Sequence, residues 1–492
     1  MADFSPPLLA PGWYLQHTYS SLPGLFHSAA KPAPASRPQL VVFNAPLACD
    51  LGLDPDLPSL TETTAIFTGH TLPPGAQPIA QAYAGHQFGH FTMLGDGRAI
   101  LLGEQVTPDG RRFDIQLKGS GRTPYSRGGD GRAALGPMLR EYIISEAIHA
   151  LGIPTTRSLA VTLTGEPVYR DERLDGAVLT RVAASHIRVG TFEYAAARGA
   201  TEDLRALADY TIQRHYPDAA LTEVPYLTLL QSVIARQAAL IARWLHVGFI
   251  HGVMNTDNMA LSGETIDYGP CAFMDTYDPA TVFSSIDHRG RYAYANQQHI
   301  AQWNLARFAE TLLPLLHPDE DEALRLANEA IQNFTPVFEA DYLDGMRKKL
   351  GLFHAEPEDP ALIQDFLQIL HRHQLDYTNA FRTLITGTPA DSLLLTHPDF
   401  APWHQRRQAR LDRQPATLTE STAMMRRSNP AVIPRNHLVE AALTAATAHQ
   451  DFTVMERLLQ VLASPWDHDL DLPEYQTPPD PGASCYQTFC GT

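Results

Sequence analysis

Residues 251–270 read HGVMNTDNMALSGETIDYGP, and the polar residues of this stretch suit a metal and phosphate site. Asn258 and Asp267 carry oxygen ligands, and Mg²⁺ bound to nucleotide phosphates typically takes only one or two protein oxygens. Asp257 lies beside Asn258 and could accept a proton from an attacking hydroxyl. The alternatives are a turn built by Asn and Asp near glycine, and an Asp257 that only supports the loop backbone.

The same stretch has the residue order of a protein-kinase catalytic loop. In kinases His-Arg-Asp is followed by four residues and Asn, and an Asp-Phe-Gly triplet comes later. His251 and Asn258 occupy the first and last of these loop positions, and Asp267 begins an Asp-Tyr-Gly triplet. The position of the kinase catalytic Asp holds Val253. The stretch therefore predicts a kinase-like site that either has lost kinase activity or serves another reaction.

Two upstream segments supply further parts of such a site. Residues 114–120 predict a short strand that ends at Lys118, and residues 136–154 predict a helix that contains Glu141. A Lys–Glu pair in this order orients phosphates in kinases, although a pair in adjacent elements is usually a surface salt bridge. The GDGR turn at 95–98 could place backbone N–H groups near phosphate, but it lacks the third glycine of a kinase Gly-rich loop.

Arginine is more abundant here than a kinase site requires. GSGRTPYSRGGDGR, residues 119–132, places three arginines among glycines, and residues 179–190 carry Arg181 and Arg188. Guanidinium groups match phosphate oxygens bidentately, and glycine allows a close approach to an anion. For any single arginine, a solvated basic loop is the alternative.

These elements predict an α+β chain with a protein-kinase-like, two-lobed fold, an N-terminal extension and additional C-terminal helices. A helix predicted over 227–247 leads directly into the loop at His251. The expected units are an N-terminal extension packing on the core (1–78), a kinase-like N-lobe with nucleotide-binding residues (79–190), a helical C-lobe with catalytic and metal-binding loops (191–464) and a tail with Cys485 and Cys490 (465–492).

Composition restricts the function classes. The 492-residue chain has a net charge of −17, which argues against a nucleic-acid-binding protein because such proteins normally carry a basic face. An anionic small ligand is compatible with this charge, since local arginines can oppose the global sign. No apolar run approaches the ~20 residues of a membrane span. The first residues, MADFSPPLLAPGWYLQ, have no basic region followed by an apolar one, so we expect that they are not a secretory signal. With only four cysteines, the expected location is the reducing cytoplasm.

Several strings together resemble the selenoprotein O family. They are YAGHQFG, LGDGR, LKGSGRTPYSR, GDGRA, LREYIISEA, LGIPTTR, HGVMNTDN, DYGP and SIDHRGRY, and they fall between residues 40 and 310. The resemblance, and not the spacing of residues, implies a protein adenylyltransferase on a kinase-like fold. Such an enzyme moves AMP from ATP to Ser, Thr or Tyr hydroxyls of protein substrates and releases pyrophosphate.

The resemblance also implies how the nucleotide binds. ATP is expected to lie inverted relative to kinases, with Lys118, Arg181 and Arg188 on its β- and γ-phosphates. Val253 is then no defect, because the acceptor hydroxyl attacks the α-phosphorus from a different position. The implied nucleotide ligands are Gly95, Gly97, Arg98, Lys118, Asp130, Gly131, Arg181, Arg188 and Asp267.

The catalytic and metal-binding roles follow from the same resemblance. Asp257 is expected to be the proton acceptor, and Glu141 is expected to orient Lys118. Asn258 and Asp267 are expected to hold Mg²⁺, with Mn²⁺ as a substitute. A developing charge on the leaving pyrophosphate would then be stabilised by the surrounding cations.

The C-terminus departs from the family, because it carries Cys485 and Cys490 and no selenocysteine. Cysteines near a chain end favour redox reactivity. A bond between one of them and Cys271, just after the Asp-Tyr-Gly triplet, would be a redox gate on substrate access. The alternative is that Cys49 and Cys271 are buried small hydrophobic residues and that the tail thiols are incidental.

Three other functions compete with adenylyl transfer. They are UMP transfer from UTP by the same site, phosphoryl transfer by a true kinase, and a nucleotide-binding pseudokinase that acts as a scaffold. Phosphoryl transfer is disfavoured by Val253 and the surplus arginines, and the scaffold by retention of the metal and base candidates. We expect a monomer that acts on proteins and not on nucleic acid or membranes.

Overall fold

The computed structural model describes residues 12–57, 61–386, 392–470, 472–480 and 486–488, and it has an α+β architecture. The strands are β1 (Leu15–Gln16), β2 (His27–Ala29), β3 (Gln39–Phe43), β4 (Ile79–Gln81), β5 (Ala84–Gln87), β6 (His90–Met93), β7 (Ala99–Val106), β8 (Arg112–Lys118), β9 (Ala133–Ala134), β10 (Arg157–Tyr169), β11 (Arg173–Ala183), β12 (Phe249–Ile250) and β13 (Ala272–Phe273). The helices are α1 (Ala45–Asp50), α2 (Thr61–Phe67), α3 (Leu135–Ala150), α4 (Val189–Arg198), α5 (Thr201–His215), α6 (Pro225–His246), α7 (Gln297–Leu316), α8 (Glu320–Gln332), α9 (Phe334–Lys349), α10 (Asp359–Arg372), α11 (Tyr377–Thr386), α12 (Ser392–Thr396), α13 (Phe400–Leu411), α14 (Leu418–Ser428), α15 (Asn436–His449), α16 (Thr453–Leu462) and α17 (Pro473–Gln476).

A large antiparallel sheet dominates the first part of the chain. Its order is β2-β4-β7-β8-β11-β10-β3, with β1 also paired to β7 and β9 to β11. In this sheet Lys118 lies opposite Ala99 of β7 and Leu179 of β11, and Arg181 lies opposite Gln116. Because paired residues and alternate residues share a face, Gln116, Lys118 and Arg181 point to the same side of the sheet.

The opposite side of the sheet is closed by the N-terminal segment. Ile115 and Leu117 of β8 pack there in one buried cluster with Trp13, Leu47 and Phe67. Strands β1, β2 and β3 also come from this segment and pair within the sheet itself. The expected N-terminal extension is therefore built into the sheet and does not only lie against it, and the unit boundaries stay predictions.

Helix α3 covers the side of the sheet that carries Lys118. The helix predicted over 136–154 is confirmed, with Leu139 and Ile143 fully buried in the main core. It ends before Gly152, whose φ of +73° lies in the left-handed region that favours glycine after a helix.

Helix α6 delivers the chain to the loop at 251–271. The helix predicted over 227–247 is confirmed, and its residues Leu230, Ile234 and Ile241 are buried. Strand β12 follows directly and pairs with β13, so that both ends of the loop are fixed. A short 3-10 turn, Thr256–Asn258, lies inside the loop.

The later helices extend the structure back toward the sheet. Glu440 of α15 accepts a hydrogen bond from Arg140 of α3 at 2.9 Å, which joins the additional helices to the strand-rich part. No helix in the described part of the chain combines the length and the apolarity of a membrane-spanning segment.

Candidate active site

A cleft of about 630 Å³ lies where the sheet face under α3 meets the 251–271 loop. The predicted site residues that line it are Gly97, Arg98, Lys118, Glu141, Arg181, Arg188, Asp257, Asn258 and Asp267. Residues from the sheet, α3 and the loop, distant in sequence, are thus brought together in one cavity.

Asp267 is the centre of an ionic cluster in this cleft. Its Oδ1 accepts hydrogen bonds from Lys118 Nζ at 2.7 Å and from Arg181 Nη1 at 2.5 Å, and its Oδ2 accepts from Arg188 Nη1 at 3.0 Å. Glu141 accepts from Lys118 at 2.6 Å and from Arg181 at 3.3 Å. Three cations therefore share two carboxylates, so the cations outnumber the anions within this cluster, which suits the binding of phosphate groups.

The charge and the backbone of Asp267 are both set by this cluster. Burial favours the neutral acid, but the charges of Arg181, Lys118 and Arg188 outweigh it and hold the pKa of Asp267 well below its usual range. Asp267 has a φ of +62°, and this left-handed conformation costs a non-glycine residue about 1–2 kcal/mol. The ion pairs offset that cost and keep the charged carboxylate in the cleft.

The two arginines are also fixed by uncharged partners. Arg181 donates to Gln116 Oε1 from Nη2 at 2.6 Å and from Nε at 3.2 Å. Arg188 donates to the Asp257 carbonyl at 2.9 Å and lies 4.5 Å from the centre of the Tyr83 ring. The buried Nε of Arg188 has no hydrogen-bond partner among the described residues, as expected of a site that gains a polar ligand.

Asn258 and Asp267 have a donor set that fits a divalent cation. Asn258 Nδ2 donates to the Val253 carbonyl at 2.9 Å, which leaves its Oδ1 as the atom that can bind a metal. Within the described residues, no group of three or more His, Cys, Asp or Glu side chains is placed to hold a metal ion. A cation between Asn258 and Asp267 would therefore take its other ligands from nucleotide phosphates and water, as Mg²⁺ usually does.

His251 has a supporting position behind the loop. It is fully buried, and a ring nitrogen lies 2.8 Å from the Ile266 carbonyl next to Asp267. Its backbone N–H donates to Gln297 Oε1 at 3.0 Å. His251 therefore fixes the loop, while Val253 lines the cleft at the position of the kinase Asp.

Asp257 has the properties of a general base. Its carboxylate lines the cleft, and its buried Oδ1 has no hydrogen-bond partner in the described part of the chain. Burial raises the pKa of Asp257 to about 6, although the nearby Arg188 lowers it. A general base works best with a pKa near the operating pH, so this environment suits proton acceptance.

Gly85 controls the position of that carboxylate. A Cβ atom at Gly85 would lie 2.2 Å from Asp257 Oδ1, whereas a Cβ at Gly24 would meet nothing within 4 Å. We expect Gly85→Ala to displace the carboxylate and to lower turnover by about 10²-fold, while nucleotide affinity is kept. Steady-state kinetics and nucleotide titration of both variants test this, with Gly24→Ala as the matched control. Equal turnover of the two variants would contradict the role given to Gly85.

Several polar residues that line the cleft were not predicted from the sequence, and three of them lie in two of the strings that were singled out there. These three are Asp96, Tyr83 and Gln87. Burial raises the pKa of Asp96 to about 6, and its Oδ2 accepts hydrogen bonds from the Gln81 N–H and from Gln116 Nε2, both at 3.1 Å. Asp96 belongs to the GDGR turn, in which only the two glycines and Arg98 were predicted as ligands. Tyr83 and Gln87 belong to YAGHQFG, from which no ligand was predicted, so the signal was the strings themselves.

The structure does not bring three predicted nucleotide ligands into the cleft lining. Gly95 has a φ of +116°, and a Cβ there would lie 2.5 Å from the Tyr125 ring, so it provides space for that side chain. Asp130 accepts from Arg170 at 2.9 Å on the surface. Gly131 is placed so that a Cβ would lie 2.1 Å from a backbone oxygen of the same loop. Their part in nucleotide binding stays a prediction.

The glycine-rich segment around Arg122 forms a loop that is closed on itself. Arg122 donates to the carbonyls of Gly129 at 2.8 Å and Gly128 at 3.2 Å. The arginines of this segment do not line the cleft, in contrast to Arg181 and Arg188. Of the two arginine sets singled out in the sequence, only the second, Arg181 and Arg188, lines the cleft, where Arg98 and Arg140 accompany it.

The C-terminal segment reaches the cleft. Tyr486 donates to Glu440 at 2.6 Å, and Thr488 donates to the Pro270 carbonyl at 2.7 Å. Cys271 is buried and its carbonyl accepts from Arg140 at 2.6 Å. Cys49 is exposed, contrary to the buried alternative. The tail residues Cys485 and Cys490 lie outside the described residues, so the redox gate stays a prediction.

Comparison with known proteins extends these observations over the whole chain. A family model described as "Protein adenylyltransferase SelO" matches residues 14–463. Relatives named "Protein nucleotidyltransferase YdiU" occur in Brevibacillus brevis (61% identity over 486 residues, 99% of each chain), Halalkalibacterium halodurans (62% over 482 residues, 98% of each chain) and Alkaliphilus metalliredigens (60% over 485 residues, 99% of each chain). The similarity therefore includes the sheet, the loop and the later helices.

Proposed function

The chain belongs to the SelO family and is a nucleotidyltransferase, and from this premise we propose that it transfers AMP from ATP to hydroxyl side chains of protein substrates. The observation that carries the proposal is the convergence of Lys118, Arg181 and Arg188 on Asp267 in a cleft that also contains Asp257. The fold we propose for this arrangement is that of a protein kinase, with the nucleotide between the sheet and the loop.

In the proposed reaction the three cations hold the β- and γ-phosphates of an inverted ATP. The substrate hydroxyl oxygen attacks the α-phosphorus, and its proton passes to Asp257. The bond from the α-phosphorus to the bridging oxygen breaks, and pyrophosphate leaves. Because negative charge develops on the leaving group, Lys118, Arg181 and Arg188 stabilise the transition state more than the bound substrate.

The resident groups prepare the site for this reaction. Glu141 orients Lys118 and reduces the repulsion between Lys118 and Arg181. Mg²⁺ or Mn²⁺ held by Asn258 and Asp267 would neutralise phosphate charge when bound. Phosphate groups that enter the cleft would take over hydrogen bonds that Lys118 and the arginines now donate to Asp267, and would free its carboxylate for the cation.

Transfer of label from ATP tests the proposal. With Mg²⁺ and proteins of the source lysate as acceptors, we expect label from the α-phosphate to appear on protein and label from the γ-phosphate to stay in solution. Asp267→Ala is the control and should lose the α-label. Label from the γ-phosphate alone would establish a kinase and contradict the inverted ATP.

The donor base is tested in the same experiment. The family model is described by adenylyl transfer, whereas the relatives are named for nucleotidyl transfer without a stated base. We expect α-labelled ATP to label protein more efficiently than α-labelled UTP. The reverse order would replace AMP by UMP in the proposal and leave the mechanism unchanged. The scaffold alternative is set aside, because the chain is an enzyme.

A further inference from the structure

A second cavity, here called the lateral groove, adjoins the candidate active site. It has a volume of about 550 Å³ and is lined by Phe88, His90, Ile286, Asp287, His288, Arg289, Arg291, Asn296 and Ile300. One wall is the β5–β6 hairpin, and the other is the segment 286–291 with the first turn of α7. The proposed reaction gives this groove no role.

The lateral groove and the cleft share a wall. Gln87 lines the cleft, and the next residue, Phe88, lines the groove. Asn255, which also lines the cleft, accepts hydrogen bonds from the Phe88 N–H at 3.0 Å and from the Tyr292 hydroxyl at 2.5 Å. Since Asp257 is two residues from Asn255, a protein segment whose hydroxyl reaches Asp257 has the groove beside it.

The groove is basic in a strongly acidic protein. Arg289 is exposed, and Arg291 lies with its guanidinium 4.8 Å from the centre of the Trp303 ring. The buried Nε of Arg291 has no hydrogen-bond partner among the described residues. The groove's acidic lining residue, Asp287, is buried, and it accepts the backbone N–H groups of Arg291 and Tyr292 at 2.9 and 2.8 Å.

The groove also offers apolar contact. Ile286 is 52% exposed and lies next to the basic residues. Phe88 and Ile300 add further apolar side chains to the lining. Apolar side chains grouped beside charges are typical of interaction sites.

We propose that the lateral groove binds the segment of the protein substrate that flanks the acceptor hydroxyl, and that it selects segments with acidic and apolar side chains. The inference rests on the proposed function, because it needs a protein hydroxyl at Asp257. Charge complementarity selects the partner: the net charge of −17 repels acidic proteins in general, while the local basic groove attracts an acidic segment at this one place. Arg289 and Arg291 are therefore specificity-determining residues.

Peptide pools test this substrate preference. Each pool carries a Ser, Thr or Tyr acceptor flanked by Glu, Gln or Lys, and α-labelled ATP is the donor. We expect the Glu pools to have the highest kcat/KM. Arg289→Glu should raise KM for the Glu pools by about fivefold, lower it for the Lys pools and leave kcat unchanged. The preference should weaken as salt is added, because Arg289 is exposed.

Arg427→Glu is the matched control, since Arg427 is an exposed arginine of α14 that lines neither cavity. Two outcomes would overturn the inference and leave the proposed function standing. In the first, lysate proteins are labelled but the peptide pools show no preference for Glu. In the second, lysate proteins are labelled but no peptide pool is. No α-label on lysate proteins or pools would overturn the proposed function itself. Binding of a single-stranded oligonucleotide that depends on Arg289, without a Glu preference among peptides, would identify a nucleic-acid surface and overturn the inference.

Discussion

Asp267→Ala is expected to lower nucleotidyl transfer by about 10³-fold or more, while the variant still binds ATP. The substitution removes the carboxylate shared by Lys118, Arg181 and Arg188 and one of the two oxygen ligands proposed for the metal. The three cations stay in place and attract phosphate even more strongly. Binding and catalysis are therefore expected to separate in this variant.

Titration with ATP in the presence and absence of Mg²⁺ measures that separation. In the unaltered protein, Mg²⁺ should strengthen ATP binding. Without the metal, the Asp267 carboxylate repels the phosphates and keeps the hydrogen bonds of the three cationic side chains for itself. In Asp267→Ala the affinity for metal-free ATP should rise and the effect of Mg²⁺ should become small. Loss of ATP binding in both conditions would mean that Asp267 holds the nucleotide site together and does not act through the metal.

The same variant should also be less stable. Removing one partner of a buried ion cluster leaves charges without compensation and costs about 3 kcal/mol. Pyrophosphate or ATP should restore the Tm, because phosphate replaces the missing negative charge. Asp218→Ala, an exposed carboxylate away from the cleft, is the control and should change neither the Tm nor ATP binding.

Local pattern explains which parts of this structure could be predicted. The helices at α3 and α6 have regular apolar spacing, and β8 alternates apolar and polar residues, so their positions follow from short-range rules. His251, Asn258 and Asp267 occur in the order of the kinase catalytic loop and the Asp-Phe-Gly triplet, so they could be identified from the sequence. The Lys118–Glu141 contact was predicted by comparison with kinases and is present at 2.6 Å.

Contacts between distant segments explain which parts could not be predicted. The place of Gly85 against Asp257 joins two segments 172 residues apart, and no local pattern marks it. Asp96 looked like an ordinary turn residue, because burial is what changes its chemistry. Arg122 and Arg188 both occur near glycines in the sequence, but only the fold separates a self-closed loop from a cleft wall.

Asp257→Asn should lower transfer by about 10²–10⁴-fold and remove an acid limb from the pH profile. The pKa of Asp257 is raised to about 6, so the charged base is lost as the pH falls through that value. In the unaltered protein kcat should therefore decline below about pH 6 and level off above it. In Asp257→Asn the residual rate should show no such decline.

Asp96→Asn is the control that identifies the titrating group. Asp96 lines the same cleft and its pKa is also raised to about 6, but its Oδ2 is engaged by Gln81 and Gln116. The acid limb should persist in Asp96→Asn. If it disappears there and persists in Asp257→Asn, Asp96 is the base and the role given to Asp257 is wrong.

Asp257→Asn should at the same time stabilise the protein at neutral pH. The pKa of Asp257 rises on folding from 3.8 to about 6, so between these values the folded state binds more protons than the unfolded state. Stability therefore falls as the pH rises through this window, and the full cost is present at pH 7. Asn carries no charge, so the free energy of unfolding of the variant at pH 7 should exceed that of the unaltered protein by about 3 kcal/mol. The difference should vanish near pH 4.

A gain in stability at pH 7, together with lost activity, would show that burial of Asp257 serves proton transfer at the expense of stability. A destabilised variant at pH 7 would show instead that the charged carboxylate supports the loop.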